Sequence, residues 1–139
     1  MNKIKLGKAA ELIFMAKCLL SGLNCYTPVS EDGRVDVVVG RALVRCQVKV
    51  VAPYSGASQS KGISIRKVGV NSKTNTKSYS YTAEDVDYMV GVDIESLDVY
   101  VVPMAALEGY TRSVSCRALT ELGYKNNLNI LQTGEYTGG

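Results

Sequence analysis

Apolar residues near the start of the chain recur at the spacing of an α-helix. The positions are Leu6, Ala9, Ala10, Ile13, Phe14 and Leu20. This spacing predicts a helix from Leu6 to Leu20 with one apolar face. Gly22 can end it, because glycine readily adopts the left-handed conformation found just beyond helix C-termini.

Beyond this helix the pattern changes to short runs that are rich in β-branched residues. The longest are two valine-rich segments, Arg34–Val39 and Ala42–Val51, which flank Gly40-Arg41 and predict a β-hairpin. One helix followed mainly by strands predicts an α+β domain with a mixed sheet. The other predicted elements are strands at Leu23–Thr27, Ile63–Lys67, Tyr88–Val92, Val99–Val102 and Arg112–Leu119, a polar loop up to Ser80, and a short helix at Asn126–Leu131.

Side chains alternate between the two faces of a strand, so the position along the hairpin assigns each residue to a face. A two-residue turn at Gly40-Arg41 predicts that Val39 lies opposite Ala42, which makes one face of the hairpin wholly apolar and directs it to the core. The other face carries Arg34, Asp36 and Val38 on one strand and Leu43, Arg45, Gln47 and Lys49 on the next.

Two interpretations of that polar face stay open. In the predicted register Asp36 lies opposite Arg45 and diagonal to Gln47, and Lys49 points the same way. On an exposed outer face, Asp36 would simply be the ion-pair partner of Arg45. Valine-rich strands, however, more often belong to a sheet covered on both sides, where an Asp beside a Lys is costly unless a metal ion or a partner charge compensates. The second interpretation predicts a functional site.

Glu11 on the predicted helix also has two possible interpretations. Its stripe of the helix is mainly small and apolar, which predicts a partly buried carboxylate. Either Glu11 pairs with Lys8 three residues earlier, a contact worth roughly 0.2–0.5 kcal/mol, or this helix face packs on the sheet and adds Glu11 to the polar cluster. The neighbours along the stripe are Gly7, Lys8, Met15, Cys18 and Gly22.

Composition limits the chemistry that such a site can use. The chain has 139 residues, 46% of them apolar, which suits a single domain over residues 1–139. It contains no histidine, and its four cysteines lack the spacing of a zinc site, so structural zinc and His-based catalysis are disfavoured. The cysteines are typical of buried thiols in a reducing cytosol. Catalysis would have to use carboxylates, Lys, Tyr or a metal ion held by oxygen ligands.

The net charge of +3 conceals two blocks of opposite sign. The segment of about residues 54–81 is basic and contains no acid, whereas residues 84–98 contain six acidic residues and no base. A basic segment interspersed with Ser, Asn, Thr and Tyr suits a phosphate backbone. The acidic block cannot lie on DNA, and we interpret it as a solvated turn with capping chemistry at Thr82-x-x-Asp85. For both blocks, plain solvated surface remains the alternative.

The order of the polar residues resembles the PD-(D/E)XK nuclease superfamily, which has the restriction-endonuclease-like fold. Glu11 lies on the first helix, Pro28 and Asp36 follow, and Gln47-Val48-Lys49 completes the pattern. Gln47 stands where the superfamily usually has Asp or Glu, and Pro28 lies farther from Asp36 than in the tight signature.

Further segments are similar to the compact group I intron homing endonucleases of this superfamily, which are known from cyanobacteria. They are Gly7–Glu11, Tyr81–Asp93 and Val99–Pro103, and the resemblance covers roughly residues 5–105. Archaeal-type Holliday junction resolvases share the same core order and are the runner-up. The resemblance implies an α/β/α core, with a central mixed sheet and the N-terminal helix packed on it.

The resemblance also implies Mg²⁺-dependent hydrolysis of phosphodiester bonds in double-stranded DNA. Asp36 would be the main metal ligand, Glu11 would lie at the edge of the metal site, and Gln47 would supply a neutral oxygen. Lys49 would orient or activate the attacking water and stabilise the developing charge. Mg²⁺ prefers hard oxygen ligands and keeps several waters, so few protein ligands suffice, and Mn²⁺ could substitute. Because Gln47 removes one negative charge, we expect weak metal binding before DNA arrives.

The basic segment would then follow the DNA, and cutting both strands would require at least a two-fold dimer. The homing relatives imply a tetramer. No membrane is expected as a partner, and the protein would act on DNA in the cytoplasm. A catalytically silent DNA-binding module of the same fold is the alternative that Gln47 keeps open. Phosphate contacts are expected from Lys61, Arg66, Lys67, Lys73 and Lys77, and base-edge contacts from Arg66 and Gln59.

Overall fold

The computed structural model describes residues 2–30, 33–53, 60–71, 75–80 and 83–132, and for residues 66–71 and 75–80 it describes the backbone alone. No helix among the described residues combines the length and the apolar composition that crossing a membrane requires.

The first helix, α1, spans Lys3–Leu20 and confirms the predicted N-terminal helix. It begins earlier than Leu6 because the Asn2 side chain accepts hydrogen bonds from the backbone N–H groups of Ile4 (2.7 Å) and Lys5 (3.3 Å). It ends as predicted before Gly22, whose φ of 87° lies in the left-handed region. The side chains that it buries are Ala10, Phe14 and Cys18.

The described residues after α1 form three sheets, two short α-helices and one 3-10 helix, Met104–Leu107. The strand order of the central sheet is β1-β2-β3-β8-β9, in which β3 and β8 are parallel and the other neighbours antiparallel, so the sheet is mixed as predicted. In chain order the elements are β1 (Cys25–Tyr26), β2 (Val37–Val39), β3 (Val44–Val50), β4 (Ala52–Pro53), β5 (Lys61–Ser64), β6 (Arg66–Asn71), β7 (Asn75–Ser80), β8 (Tyr88–Val92), β9 (Val99–Pro103), β10 (Ser113–Ser115), α2 (Cys116–Glu121) and α3 (Asn129–Gln132).

The central sheet is covered on both faces, which agrees with its valine-rich strands. On one face alternate valines of β2, β3, β8 and β9 pack against the buried stripe of α1. On the other face Met89, Tyr100 and Val102 pack against a second core that includes Ile63 of β5, Val114 of β10 and Leu119 of α2. A polar residue on β3 is therefore placed in an interior, and its environment has to be accounted for.

The register of β2 and β3 differs by two residues from the predicted one. Val39 pairs with Val44 rather than with Ala42. The loop is longer than predicted and uses left-handed conformations at Gly40 (φ 77°) and Leu43 (φ 55°). A two-residue turn of the favoured type needs positive φ at both central residues, which residues other than glycine resist. Both loops have an even length, so each paired residue keeps its predicted face.

The prediction for the segment Arg112–Leu119 is wrong in its second half. β10 stops at Ser115, whose side chain accepts a hydrogen bond from the Ala118 N–H (3.1 Å) and so caps the start of α2. β10 forms a small sheet with β5 and β4, in the order β10-β5-β4. The short helix predicted near the C-terminus is confirmed as α3, which packs on the α1 side through Leu131.

The prediction of a polar loop up to Ser80 is also wrong. β6 and β7 pair in an antiparallel ribbon that is separate from both other sheets, from Arg66 opposite Ser80 to Asn71 opposite Asn75. Polarity indicated exposure here, but it did not exclude strands, because Thr, Tyr and Val favour extended backbone. The strand predicted at Ile63–Lys67 is divided between β5 and β6.

The acidic block is largely tied to the protein by ion pairs, rather than being only a solvated turn. The pairs are Arg34–Asp85 (2.7 Å), Arg45–Asp87 (3.1 Å), Lys61–Asp93 (3.0 Å) and Lys125–Asp98 (3.6 Å). They join the ends of the central strands to segments far away in sequence. The predicted cap at Thr82-x-x-Asp85 lies partly outside the described residues.

Asp93 is the most buried of these carboxylates, with 7% of the residue exposed. Its Oδ1 accepts hydrogen bonds from the N–H groups of Glu95 (3.0 Å) and Ser96 (3.4 Å), and its Oδ2 accepts one from Lys61 Nζ (3.0 Å). Burial by itself would raise the pKa of Asp93, but the Lys61 hydrogen bond and the two backbone donors outweigh it, and the pKa is lowered.

Replacing Asp93 by Asn is expected to lower the free energy of unfolding at pH 7 by about 1–3 kcal/mol, because the hydrogen bond from Lys61 loses its charged acceptor. The pKa of Asp93 lies below its ordinary value of 3.8 in the folded state. The stabilisation is therefore present above that value and is lost as the pH falls through the folded-state pKa. Urea unfolding of the wild type and of Asp93→Asn over a pH series measures whether their free energies of unfolding become equal at low pH.

Glu95→Gln is the matched control, because the Glu95 carboxylate also contacts Lys61 (3.3 Å) but its side chain is 86% exposed. We expect almost no loss of stability in this variant. An equal loss in both variants would contradict the role assigned to Asp93.

Candidate active site

Asp36 lies where the ladder between β2 and β3 becomes irregular. Its N–H donates to the Cys46 carbonyl (2.9 Å), although Cys46 is already opposite Val37 in the register. Two consecutive residues thus face one residue of β3, as in a β-bulge, a feature that re-aims side chains. The Asp36 carboxylate takes the place of a backbone acceptor, and its Oδ2 accepts the Val48 N–H at 2.8 Å.

Gln47 and Lys49 stand on either side of Val48 in β3. The Val48 side chain packs in the α1 core, so Gln47 and Lys49 are on the opposite face of the strand. Gln47 is 9% exposed, and its buried Oε1 has no hydrogen-bond partner. An unpaired buried acceptor costs about 1–3 kcal/mol. It is the kind of atom that a site for a cation or a donor leaves open.

Glu11 approaches Asp36 from α1, in a cavity whose lining includes neither Gln47 nor Lys49. It lines a cavity of about 450 Å³ together with Asp36, Lys8, Met15 and Pro28. The Glu11 side chain is 19% exposed, which confirms the predicted partial burial, and its Oε1 lies 3.2 Å from Lys8 Nζ. The helix and the bulged end of β2 therefore bring two carboxylates, Glu11 and Asp36, to one cavity.

Arg45 is fully engaged elsewhere, so the alternative in which it pairs with Asp36 is wrong. Its guanidinium contacts both carboxylate oxygens of Asp87 (3.2 and 3.1 Å) and the carbonyls of Ala83 (3.1 Å) and Glu84 (2.9 Å). The hydrogen bond to Asp87 is the main cause of the raised pKa of Arg45 and, in turn, lowers the pKa of Asp87.

The donor set suits a hard divalent cation. Among the residues that the structure describes, no three or more His, Cys, Asp or Glu side chains form a group that could hold a metal ion. Acidic side chains alone therefore do not complete a site. Glu11 and Asp36 offer carboxylate oxygens to one cavity, whereas the Gln47 amide is not among the residues that line it and offers an oxygen on the other face of β3. Mg²⁺ takes such oxygen ligands and fills its remaining positions with water and substrate phosphates. The residues fit this ion, and the unpaired Gln47 Oε1 is the observation that favours it.

The predicted DNA-contacting residues fall into three groups. Lys61 is described, and its ammonium group already has Asp93 and Glu95 as partners, which makes it the weakest candidate for a phosphate contact. For Arg66, Lys67 and Lys77 the backbone is described, and it places them on the β6–β7 ribbon. Gln59 and Lys73 lie outside the described residues.

Comparison with known proteins shows the family and the fold of the chain. A family model for the PD-(D/E)XK endonucleases matches residues 1–136. The chain belongs to this family. A solved structure of a bacterial homing endonuclease, I-Ssp6803I, matches with a TM-score of 0.80 and 23% sequence identity, and the match covers 96% of each chain. This PD-(D/E)XK protein thus has the restriction-endonuclease-like fold that its sequence resembles. No curated protein sequence matches the chain.

Sequence reasoning missed how Arg34 and Arg45 are used in this PD-(D/E)XK chain. Both lie two residues before a candidate site residue, and both bind the segment that leads into β8 through Asp85 and Asp87. The signal was present as an acidic block that had no base within it. Only the fold shows which distant bases neutralise that block.

Gln47→Met is expected to keep or slightly raise the free energy of unfolding, within about 1 kcal/mol, because it replaces an unpaired buried acceptor by an apolar group of similar shape. Urea unfolding monitored by circular dichroism measures the change. A matched Met89→Gln variant would bury an amide in the apolar core on the same face, and its free energy of unfolding is expected to fall by several times more than that of Gln47→Met. A loss above about 2 kcal/mol for Gln47→Met would show that the amide is structural.

Proposed function

We propose that this protein is a Mg²⁺-dependent, site-specific endonuclease that hydrolyses phosphodiester bonds in double-stranded DNA, as a homing endonuclease does. The observation that carries the proposal is the position of the Asp36 carboxylate. This carboxylate accepts a hydrogen bond from the N–H of Val48, the residue between Gln47 and Lys49, and it lines one cavity with Glu11. Membership of the PD-(D/E)XK endonucleases and the likeness to a bacterial homing endonuclease support it.

Asp36, Glu11 and Gln47 are the residues that would hold the metal ion, and a bound ion would supply Lewis-acid chemistry that polarises a phosphate and lowers the pKa of water. The hydrogen bond from Val48 N–H fixes the Asp36 carboxylate, so this oxygen donor is positioned before any substrate arrives. Lys49 orients the attacking water and stabilises the negative charge that develops on the phosphate. Lys49 is fixed by the β3 ladder, in which it is paired with Gly91.

The β6–β7 ribbon is the proposed DNA-contacting element. The major groove of DNA admits a two-stranded ribbon, and this one pairs over six residue pairs and belongs to neither of the other sheets. It carries Arg66, Lys67 and Lys77. These bases, with Lys73, would bind phosphates, and Arg66 with Gln59 would read base edges. Lys61 retains at most a minor part, because its charge is already paired.

Assembly follows from the number of active sites. Each subunit carries one candidate active site, and one active site hydrolyses one strand at a time. Cutting both strands therefore calls for at least a two-fold dimer, and a tetramer would extend the length of DNA that a small chain can read. Light scattering with and without DNA tests this proposal. A protein that stays monomeric on DNA and cuts both strands in a single binding event would contradict it.

Asp36→Asn and Lys49→Ala are each expected to reduce cleavage of supercoiled plasmid at least about 100-fold in Mg²⁺, because each removes a group that acts on the reacting phosphate. DNA affinity, measured by anisotropy in Ca²⁺, should change less than about fivefold. Lys5→Ala removes an exposed positive charge from α1 at a distance from the cavity and serves as the control. Cleavage by either site variant near the wild-type rate would refute the assignment.

The substrate class is tested by offering wild-type protein plasmid DNA, a synthetic four-way junction and a random duplex library, with Mg²⁺ or EDTA. We expect cutting only with Mg²⁺ and recovery of one preferred duplex sequence from the library. Cleavage of the junction alone would identify a Holliday junction resolvase. Binding of DNA without nicking under every condition would identify a silent DNA-binding module, the alternative that Gln47 keeps open.

A further inference from the structure

Lys8 lines the cavity that Glu11 and Asp36 share, and no role has been assigned to it so far. Its Nζ lies 3.2 Å from Glu11 Oε1. The two side chains differ in exposure, because 53% of the Lys8 side chain is accessible and only 19% of the Glu11 side chain. The ammonium group thus approaches Glu11 from the solvent side of the cavity.

This ion pair sets the charge of the site before a metal ion arrives. The charged residues that line the cavity in the described part of the chain are Lys8, Glu11 and Asp36, with a net charge of −1. The third candidate oxygen, Gln47 Oε1, is neutral. At Glu11, a divalent cation would therefore have to displace the Lys8 ammonium or bind beside it.

We propose that Lys8 is a stand-in counter-ion for Glu11, so that the metal site is completed only when DNA is bound. The inference rests on the proposed metal site of the preceding subsection. In the free protein Lys8 neutralises Glu11 and repels a divalent cation. When DNA is bound, a phosphate gives the Lys8 ammonium group a new anionic partner, which releases Glu11 to the cation.

The geometry of α1 allows both arrangements without a change in the backbone. Lys8 and Glu11 are three residues apart and are neighbours on the helix surface, so the pair itself is weak and breaks readily. The Lys8 stem is long and more than half exposed, so the ammonium can turn away from the cavity while Glu11 stays in it. Exchange of partners therefore needs only a rotamer change at Lys8.

The size of the effect follows from Coulomb's law. A single positive charge about 6 Å from a divalent cation opposes its binding by about 1.4 kcal/mol at the dielectric constant of water, before screening by salt. Removing that charge should therefore tighten metal binding about threefold to tenfold in the absence of DNA. With DNA present the charge is neutralised by phosphate, and its removal should change metal affinity much less.

The test measures the affinity of Ca²⁺, an ion chosen to occupy the site without supporting cleavage, by calorimetry on the folded full chain. Lys8→Ala is expected to bind Ca²⁺ about threefold to tenfold more tightly than wild type without DNA, and within about twofold of wild type with a short DNA duplex. Lys8→Arg keeps the charge and should behave as wild type. Lys5→Ala removes the same charge from α1 outside the cavity and should change the affinity less than twofold.

The failure of this inference can be told apart from a failure of the metal site. If Asp36→Asn weakens Ca²⁺ binding while Lys8→Ala and Lys5→Ala have the same Ca²⁺ affinity, the metal site stands and the proposed role of Lys8 as a counter-ion is overturned. If Asp36→Asn leaves Ca²⁺ affinity unchanged, the proposed metal site is itself wrong. If Lys8→Ala increased the Ca²⁺ affinity equally with and without DNA, the proposal that Lys8 exchanges Glu11 for a DNA phosphate would also be overturned.

Discussion

The candidate site depends on the hydrogen bond between the Val48 N–H and Asp36 Oδ2. In a regular hairpin that donor would bind a backbone carbonyl, and Asp36 would be one more side chain on a strand face. The bulge at Asp36 replaces the carbonyl by a carboxylate, which is held against the residue between Gln47 and Lys49. The same irregularity brings Asp36 to the edge of the sheet, where it lines a cavity with Glu11 of the helix on the opposite face. One local distortion thus connects both sides of the sheet.

The faces of the paired strand residues could be predicted from sequence because they depend on parity. Any even-length loop between β2 and β3 keeps Val37 and Val39 on the α1 face and Gln47 and Lys49 on the other face, whatever the register. Before the bulge the prediction is wrong, because Val35 packs against the second core and Asp36 lines the cavity beside α1. The register itself could not be read, because it depends on the backbone of Gly40 and Leu43. Leu43 looked like a strand residue, yet it is 57% exposed and left-handed. The bulge at Asp36 has no local signature either, since it arises from tertiary pairing.

Sequence and structure also differ in which charged residues form ion pairs, because the partners are far apart along the chain. Arg34, which precedes β2, and Arg45 of β3 are about forty to fifty residues from their acidic partners, so their pairing is set by the parallel alignment of β3 with β8. By engaging Arg45, Asp87 prevents it from neutralising Asp36. Lys61 illustrates the reverse case, in which a base that looks free in sequence is held by Asp93.

Gln47 links stability to function in this PD-(D/E)XK protein. A buried amide oxygen without a donor lowers stability, and an apolar residue would fit the second core of the sheet better. A carboxylate at the same position would bind a metal ion more strongly, but it would also bury a charge close to Asp36 in the free protein. In the proposed metal site an amide would keep an oxygen ligand and avoid that repulsion. The negative charge that an acidic residue would add there would then come from a phosphate of the proposed DNA substrate.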